Sequence, residues 1–149
     1  MKGMTNVTGE LDIKDRWNLK IIKVESHEVK SYTPIGMAYV MMRNASFEGK
    51  DISLSYKYGC VNTRDPFTIE CEEDSSACIV DFPGLSLLET RIFIQECLDM
   101  GNLSYMDGGT NTTAINPGRL GDPVINYVHF PAHMYQTLHT HPSHRVGLV

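Results

Sequence analysis

The chain has 149 residues, 42% of them hydrophobic, and a formal net charge of −5. That length suits one ordinary domain, or one degenerate domain and part of a second, and the apolar share is enough for a packed core. The acidic balance argues against a nucleic-acid binder, and no run approaches the roughly 18 apolar residues of a membrane span.

The opening MKGMTNVTGELDIKDRW has no apolar core after its lysine, so it does not read as a secretory signal and a cytoplasmic setting is expected. The N-x-S/T sequons at Asn6, Asn44, Asn102 and Asn111 carry no weight in that setting. Residues 19–30, LKIIKVESHEVK, mix apolar and charged side chains as a strand does. Residues 36–43, GMAYVMMR, form a short apolar run in which Met37, Met41 and Met42 read as core, closed by a polar bend over 44–50. Ile52, Leu54 and Tyr56 then alternate with Ser53, Ser55 and Lys57, the period-2 pattern of a half-buried strand. Residues 60–66 read as a turn, 67–71 as a strand, 72–76 as a solvated acidic loop, and 77–82 as a strand ended by Pro83-Gly84.

The segment 86–100 carries opposing signals. Ser86 with Glu89 fits a capping box and Gly101 a helix stop, whereas TRIFI over 90–94 is rich in strand formers; a strand is expected. Residues 101–123 are dense in glycine, proline and asparagine and read as a connector or an embellished loop. Strand-like runs resume at 124–130 and 134–141. Short strands separated by turn chemistry predict a sandwich or barrel.

The cysteines Cys60, Cys71, Cys78 and Cys97 form no C-x-x-C pair and are expected to be buried thiols. There is no G-x-S-x-G elbow and no phosphate-binding loop, and Gly108-Gly109 precedes no helix. Trp17, Tyr32 and Tyr39 are expected to pack, with a sugar site as the alternative.

The stretch QTLHTHPSHR, residues 136–145, concentrates histidines. On an extended strand His139 and His141 project side by side, with Tyr135 and Thr137 on the same face, and two such imidazoles can grip one metal ion. Two exposed histidines on an edge strand give the same text. His144, after Pro142, can swing round as a third ligand; a surface or hydrogen-bonded role is the plainer reading for it and for His27, His129 and His133. Arg145 is a guanidinium that can fork onto an anionic ligand or pair with a neighbouring acid.

The C-terminal stretch from Phe130-Pro131 through HMYQTLHTHPSHRVGLV resembles the first motif of the cupin superfamily, small jelly-roll barrels. The H-x-H is His139 and His141, and residues 146–149 stand for the apolar strand that follows. The motif's glycine position holds His133 and its glutamate position holds Arg145, which cannot ligate a metal. The second motif would lie beyond Val149, while residues 77–84 look loosely like a second-motif strand and its proline–glycine turn without the histidine, a resemblance that implies the front part of a two-barrel cupin.

The resemblance and the strand pattern together predict an all-β chain, a cupin-like jelly roll or β-sandwich, either incomplete or completed by another subunit as a homodimer. The expected organisation is a degenerate β-rich domain over 1–100, a connector over 101–123, and the start of a cupin barrel over 124–149. The implied function is a cupin-like small-molecule or metal-binding protein, with His139, His141 and His144 as metal ligands and Tyr135 and Arg145 toward a small molecule. The cofactor would be a divalent ion, with zinc, iron, nickel and manganese undistinguished. Alternatives are a metal-dependent cupin isomerase or dioxygenase and a structural β-domain that assembles by strand exchange; no partner nucleic acid or membrane is expected.

Overall fold

A computed structural model describes residues 6–15, 17–85, 90–95 and 101–149. Its strands are β1 (Glu10–Ile13), β2 (Leu19–Val24), β3 (Val29–Tyr32), β4 (Met37–Gly49), β5 (Ser53–Thr63), β6 (Phe67–Glu70), β7 (Ser76–Phe82), β8 (Arg91–Gln95), β9 (Leu103–Ser104), β10 (Thr110–Ile115) and β11 (Ile125–His129). The chain is all-β, and every pairing is antiparallel, an arrangement consistent with a β-sandwich. One sheet of eight strands runs β1-β2-β7-β4-β5-β8, with β6 beside the second half of β4 and β3 beside β6; a second runs β11-β10-β9. Among the described residues no helix is long and apolar enough to cross a membrane.

The register of the large sheet follows from side-chain alternation. Ile22 faces Ile79, Ile79 faces Val40, and Val40 faces Val61, so one aliphatic row crosses β2, β7, β4 and β5. All four are almost fully buried. A slip of one residue in any strand would exchange its inner and outer side chains. Each such aliphatic side chain contributes roughly 1.5–3 kcal/mol on burial.

What covers the inner row comes from a bend in β4. Asn44 takes the left-handed conformation (φ 53), and the register with β5 shifts on either side of Ala45. Asparagine tolerates that region better than most residues, and the extra residue bends the strand. Past the bend β4 leaves β7 and pairs with β6, whose Phe67 stacks on Phe47 with centroids 5.0 Å apart. The polar bend expected at 44–50 is therefore a bulge inside one long strand, and the turn expected at 60–66 begins only after Thr63.

The opposite face of the large sheet is also covered. Met37, Tyr39 and Cys60 pack with Ile115 and, at the edge of burial, Ile125 from the second sheet. Ile21, Cys78 and Val80 pack with Val7, Ile13, Val146 and Leu148. Burial on both faces explains why β7 reads as a continuous apolar run over 77–80. Cys60, Cys71 and Cys78 are free and buried as expected, and burial pushes the thiol of Cys60 up to about 12 and that of Cys78 to about 11. Met37 and Met42 are core, and Trp17 and Tyr39 pack edge-on against Phe82.

Three expectations need correction or limits. Residues 134–141 form no strand, and neither do 146–149. Pro131 and Pro142 flank the first run and lack a ladder donor, and His133 turns the chain with φ 63. The section 101–123 is not merely irregular, because it supplies β9, a single 3-10 turn at Met106–Gly108, and β10. The strand expected within 86–100 is present as β8; Ser86, Glu89 and Cys97 lie outside the described residues.

One buried group went unnoticed in the sequence. Asp81 in β7 is fully buried, and its carboxylate accepts from the Tyr32 hydroxyl (2.6 Å), the Ile35 amide (2.6 Å) and the Gly36 amide (3.1 Å). Burial, and then the carboxylate it serves, raise the Tyr32 hydroxyl well above the ordinary tyrosine range, so it remains a donor. This latch fixes the β3–β4 loop over the inner core. Tyr32→Phe is expected to lower unfolding stability by about 1–2 kcal/mol, and Asp81→Ala by about 3 kcal/mol or more, since it strands three donors. Urea denaturation checks both; two variants within about 0.5 kcal/mol of the parent would contradict the latch.

Candidate metal centre

The 3-10 turn between β9 and β10 builds the site from below. Tyr105 donates its amide to the Gly109 carbonyl and Gly109 donates to Met106, closing a tight loop around Asp107 at φ 56. Gly108 has φ 76, and a Cβ there would meet the Met134 methyl at 2.8 Å; one on Gly109 would meet the Phe130 ring at 2.6 Å. The glycine pair thus lets the following tail lie directly on the turn. Phe130 also meets Tyr105 edge-on, with centroids 6.2 Å apart.

Asp107 then takes hold of that tail. Its Oδ2 accepts the Thr137 amide at 2.5 Å and its Oδ1 accepts the Thr137 hydroxyl at 2.7 Å. The amide bond first, the hydroxyl bond next, and the nearby His139 last hold the Asp107 carboxyl below the ordinary value of 3.8. Thr137 is thereby pinned by both its amide and its side chain.

Its carbonyl is the next link. His139 Nδ1 lies 2.7 Å from the Thr137 oxygen, so Nδ1 carries the hydrogen and donates it. In the neutral ring Nε2 is then the bare acceptor. It faces His141 Nε2 at 3.0 Å, with ring centroids 4.7 Å apart and planes 79° from each other, so the His141 Nε2–H donates into the His139 lone pair. The two histidines do converge, as their spacing suggests, but from an irregular segment steered by Asp107 and Thr137 and not from a pleated strand.

This arrangement fits a metal. A ligating imidazole commonly donates its other N–H to a carbonyl, which orients the coordinating lone pair; His139 has that bond in place. Two nitrogens 3.0 Å apart, each about 2.0–2.1 Å from a shared ion, subtend about 95° at that ion. The ion would stand where one shared hydrogen now lies, with His141 moving its proton to Nδ1. Among the described residues no group of three or more His, Cys, Asp or Glu side chains converges. The pair therefore leaves the remaining coordination positions to water or an added ligand.

The other expected residues fall elsewhere. His144 Nε2 is 2.8 Å from Asp15 Oδ2, in the turn before β2, and joins no three-residue cluster with the pair among the described residues. Asp15 also caps that turn, accepting the amides of Trp17 (2.8 Å) and Asn18 (3.2 Å). Tyr135 is 93% exposed, and Arg145 is exposed but close enough for its charge to act on His141. His129 sits in β11 opposite Thr110, while His27 and His133 occupy left-handed turn positions. Asp107 and Asp15 are contacts that the sequence did not announce; Asp-Gly-Gly marked a turn but not a contact 30 residues away. Comparison of the chain with protein-family models, with curated proteins and with solved structures finds no match.

The two titrations have opposite partners but the same direction. Loss of hydration first, then Arg145, then His139 set His141 below the ordinary value of 6.5. A histidine depressed in the fold is protonated earlier in the unfolded chain, so the pair's contribution is whole above pH 6.5 and declines as pH falls below it. A depressed carboxyl contributes above its unfolded value, so the Asp107–Thr137 lock persists until pH falls beneath 3.8. Ring-nitrogen NMR should therefore show His141 titrating below 6.5, moving up in Arg145→Gln, while the Thr137 amide resonance holds until below 3.8. A His141 that titrates normally and ignores Arg145→Gln would remove the electrostatic half of this description.

Proposed function

We propose that the chain is a cupin-like metal-binding protein in which His139 and His141 hold one divalent transition-metal ion. The observation that carries this reading is the convergence of two Nε2 atoms at 3.0 Å, one already oriented by a carbonyl bond. Imidazole suits zinc, iron and nickel, and the unfilled positions would take a small polar ligand. Arg145, the cation whose charge reaches His141, is suited to the anionic end of such a ligand. The cupin affinity rests on the H-x-H residues and an antiparallel all-β body.

Titration calorimetry of the full chain with zinc tests it. One ion per chain is expected, with His139→Ala and His141→Ala each abolishing the isotherm and His144→Ala leaving it intact. Asp107→Ala, which frees Thr137 and the carbonyl that orients His139, is expected to weaken binding roughly 10- to 100-fold. Zinc uptake that survives both single histidine substitutions would contradict the assignment.

A further inference from the structure

A second site lies between the two sheets. On the outer face of the large sheet, β4, β5 and β8 are overlain by β10, β11 and the tail, and a cleft of about 340 Å³ remains between them. Met41, Cys60 and Phe93 form its floor, a single cross-strand row by register. Ala114 and Ile125 form the roof, with Tyr127 on the same face of β11 by alternation, and Leu148 a wall. The space is continuous with a packed cluster, since Cys60, Met41, Phe93, Ala114 and Ile125 belong to the same outer core.

Among the described residues, the lining has one charged side chain. Arg43 follows Met41 by two positions, so strand alternation sets it on the cleft side of β4. Its guanidinium donates one bond, 3.2 Å long, to the Asp74 carbonyl in the β6–β7 turn. A guanidinium has five donors, and among the described residues no carboxylate pairs with Arg43. Tyr58, Asn126 and Tyr127 add polar groups to an otherwise apolar lining. A mostly apolar cavity with a few convergent polar groups is the common form of a small-molecule site.

We propose that this cleft binds a medium-chain carboxylate, its alkyl chain between the sheets and its head group on Arg43. At the packing density of protein interiors the volume accepts roughly a dozen heavy atoms, the size of a ten-carbon acid. A peptide or second sheet would be too large for it. A neutral alkane would leave the cation unused, and a phosphate would leave the apolar walls wet. The cleft shares no lining residue with the histidine pair, so this inference stands apart from the metal reading.

Methyl-resolved NMR of the full chain, titrated with decanoate below its micellar range, tests the proposal. Methyls of Met41, Ile125 and Leu148 should shift saturably, while those of Ile79 and Val24 in the inner core stay put. Arg43→Gln should weaken the affinity at least tenfold, Arg43→Lys should restore most of it, and decanol should bind less tightly than decanoate. Ala114→Phe should abolish binding by filling the roof; Arg43→Gln, a substitution at a partly solvated cation, keeps the test valid if that variant does not fold. Absence of methyl shifts, or shifts spread evenly over both cores, overturns the site. Equal binding of decanol and decanoate in the parent overturns the head-group assignment.

Discussion

Asp107 gripping Thr137 through both its carboxylate oxygens is the contact on which the histidine arrangement depends. Residues 131–149 have no ladder partner, so nothing periodic fixes their backbone. A carboxylate accepting an amide and a hydroxyl from one residue supplies two charge-assisted bonds in a defined geometry. It positions the Thr137 carbonyl, the carbonyl selects the hydrogen-bearing nitrogen of His139, and that choice leaves Nε2 bare toward His141. Without the first link the later ones have no cause.

The body of the protein makes room for this only outside its core. Phe47, Ile79, Val40 and Ile69 fill the inner space, so a metal site cannot lie among the inner-facing rows. The outer face is covered in pieces: the second sheet over β4, β5 and β8, and the tail over β2 and β7. Val146 and Leu148 dock there, and His144 binds Asp15 beside them. The tail is thus tied down at Thr137, at His144 and at its apolar residues, and the histidine pair sits between the first two ties.

The strands were largely legible because their signals are local. Alternation over 52–55 and the apolar run 77–80 of β7 each mark a strand from their own residues, whereas the left-handed Tyr56 (φ 50) breaks the expected alternation and leaves its ring exposed. The end of β4 was not legible, because a left-handed Asn44 looks the same in sequence whether it ends a strand or bends one. Asp81 was illegible for another reason: a lone aspartate in an apolar run acquires its role from Tyr32 and the Ile35–Gly36 amides, brought in by tertiary folding. At the site, the H-x-H spacing pointed to two residues whose rings do meet, though from an irregular segment and not from a strand. Period-2 geometry places two side chains together on a strand, and here a carboxylate 30 residues upstream does the same for an irregular loop. His144 was drawn elsewhere by Asp15, a partner distant in sequence.

X-ray absorption at the zinc edge, on the protein loaded with one equivalent, asks most directly whether two imidazoles share one ion. The account predicts two nitrogen scatterers with imidazole outer-shell features at about 2.0–2.1 Å and lighter oxygen ligands completing the shell. A spectrum fitted by one imidazole, or by none, would contradict it.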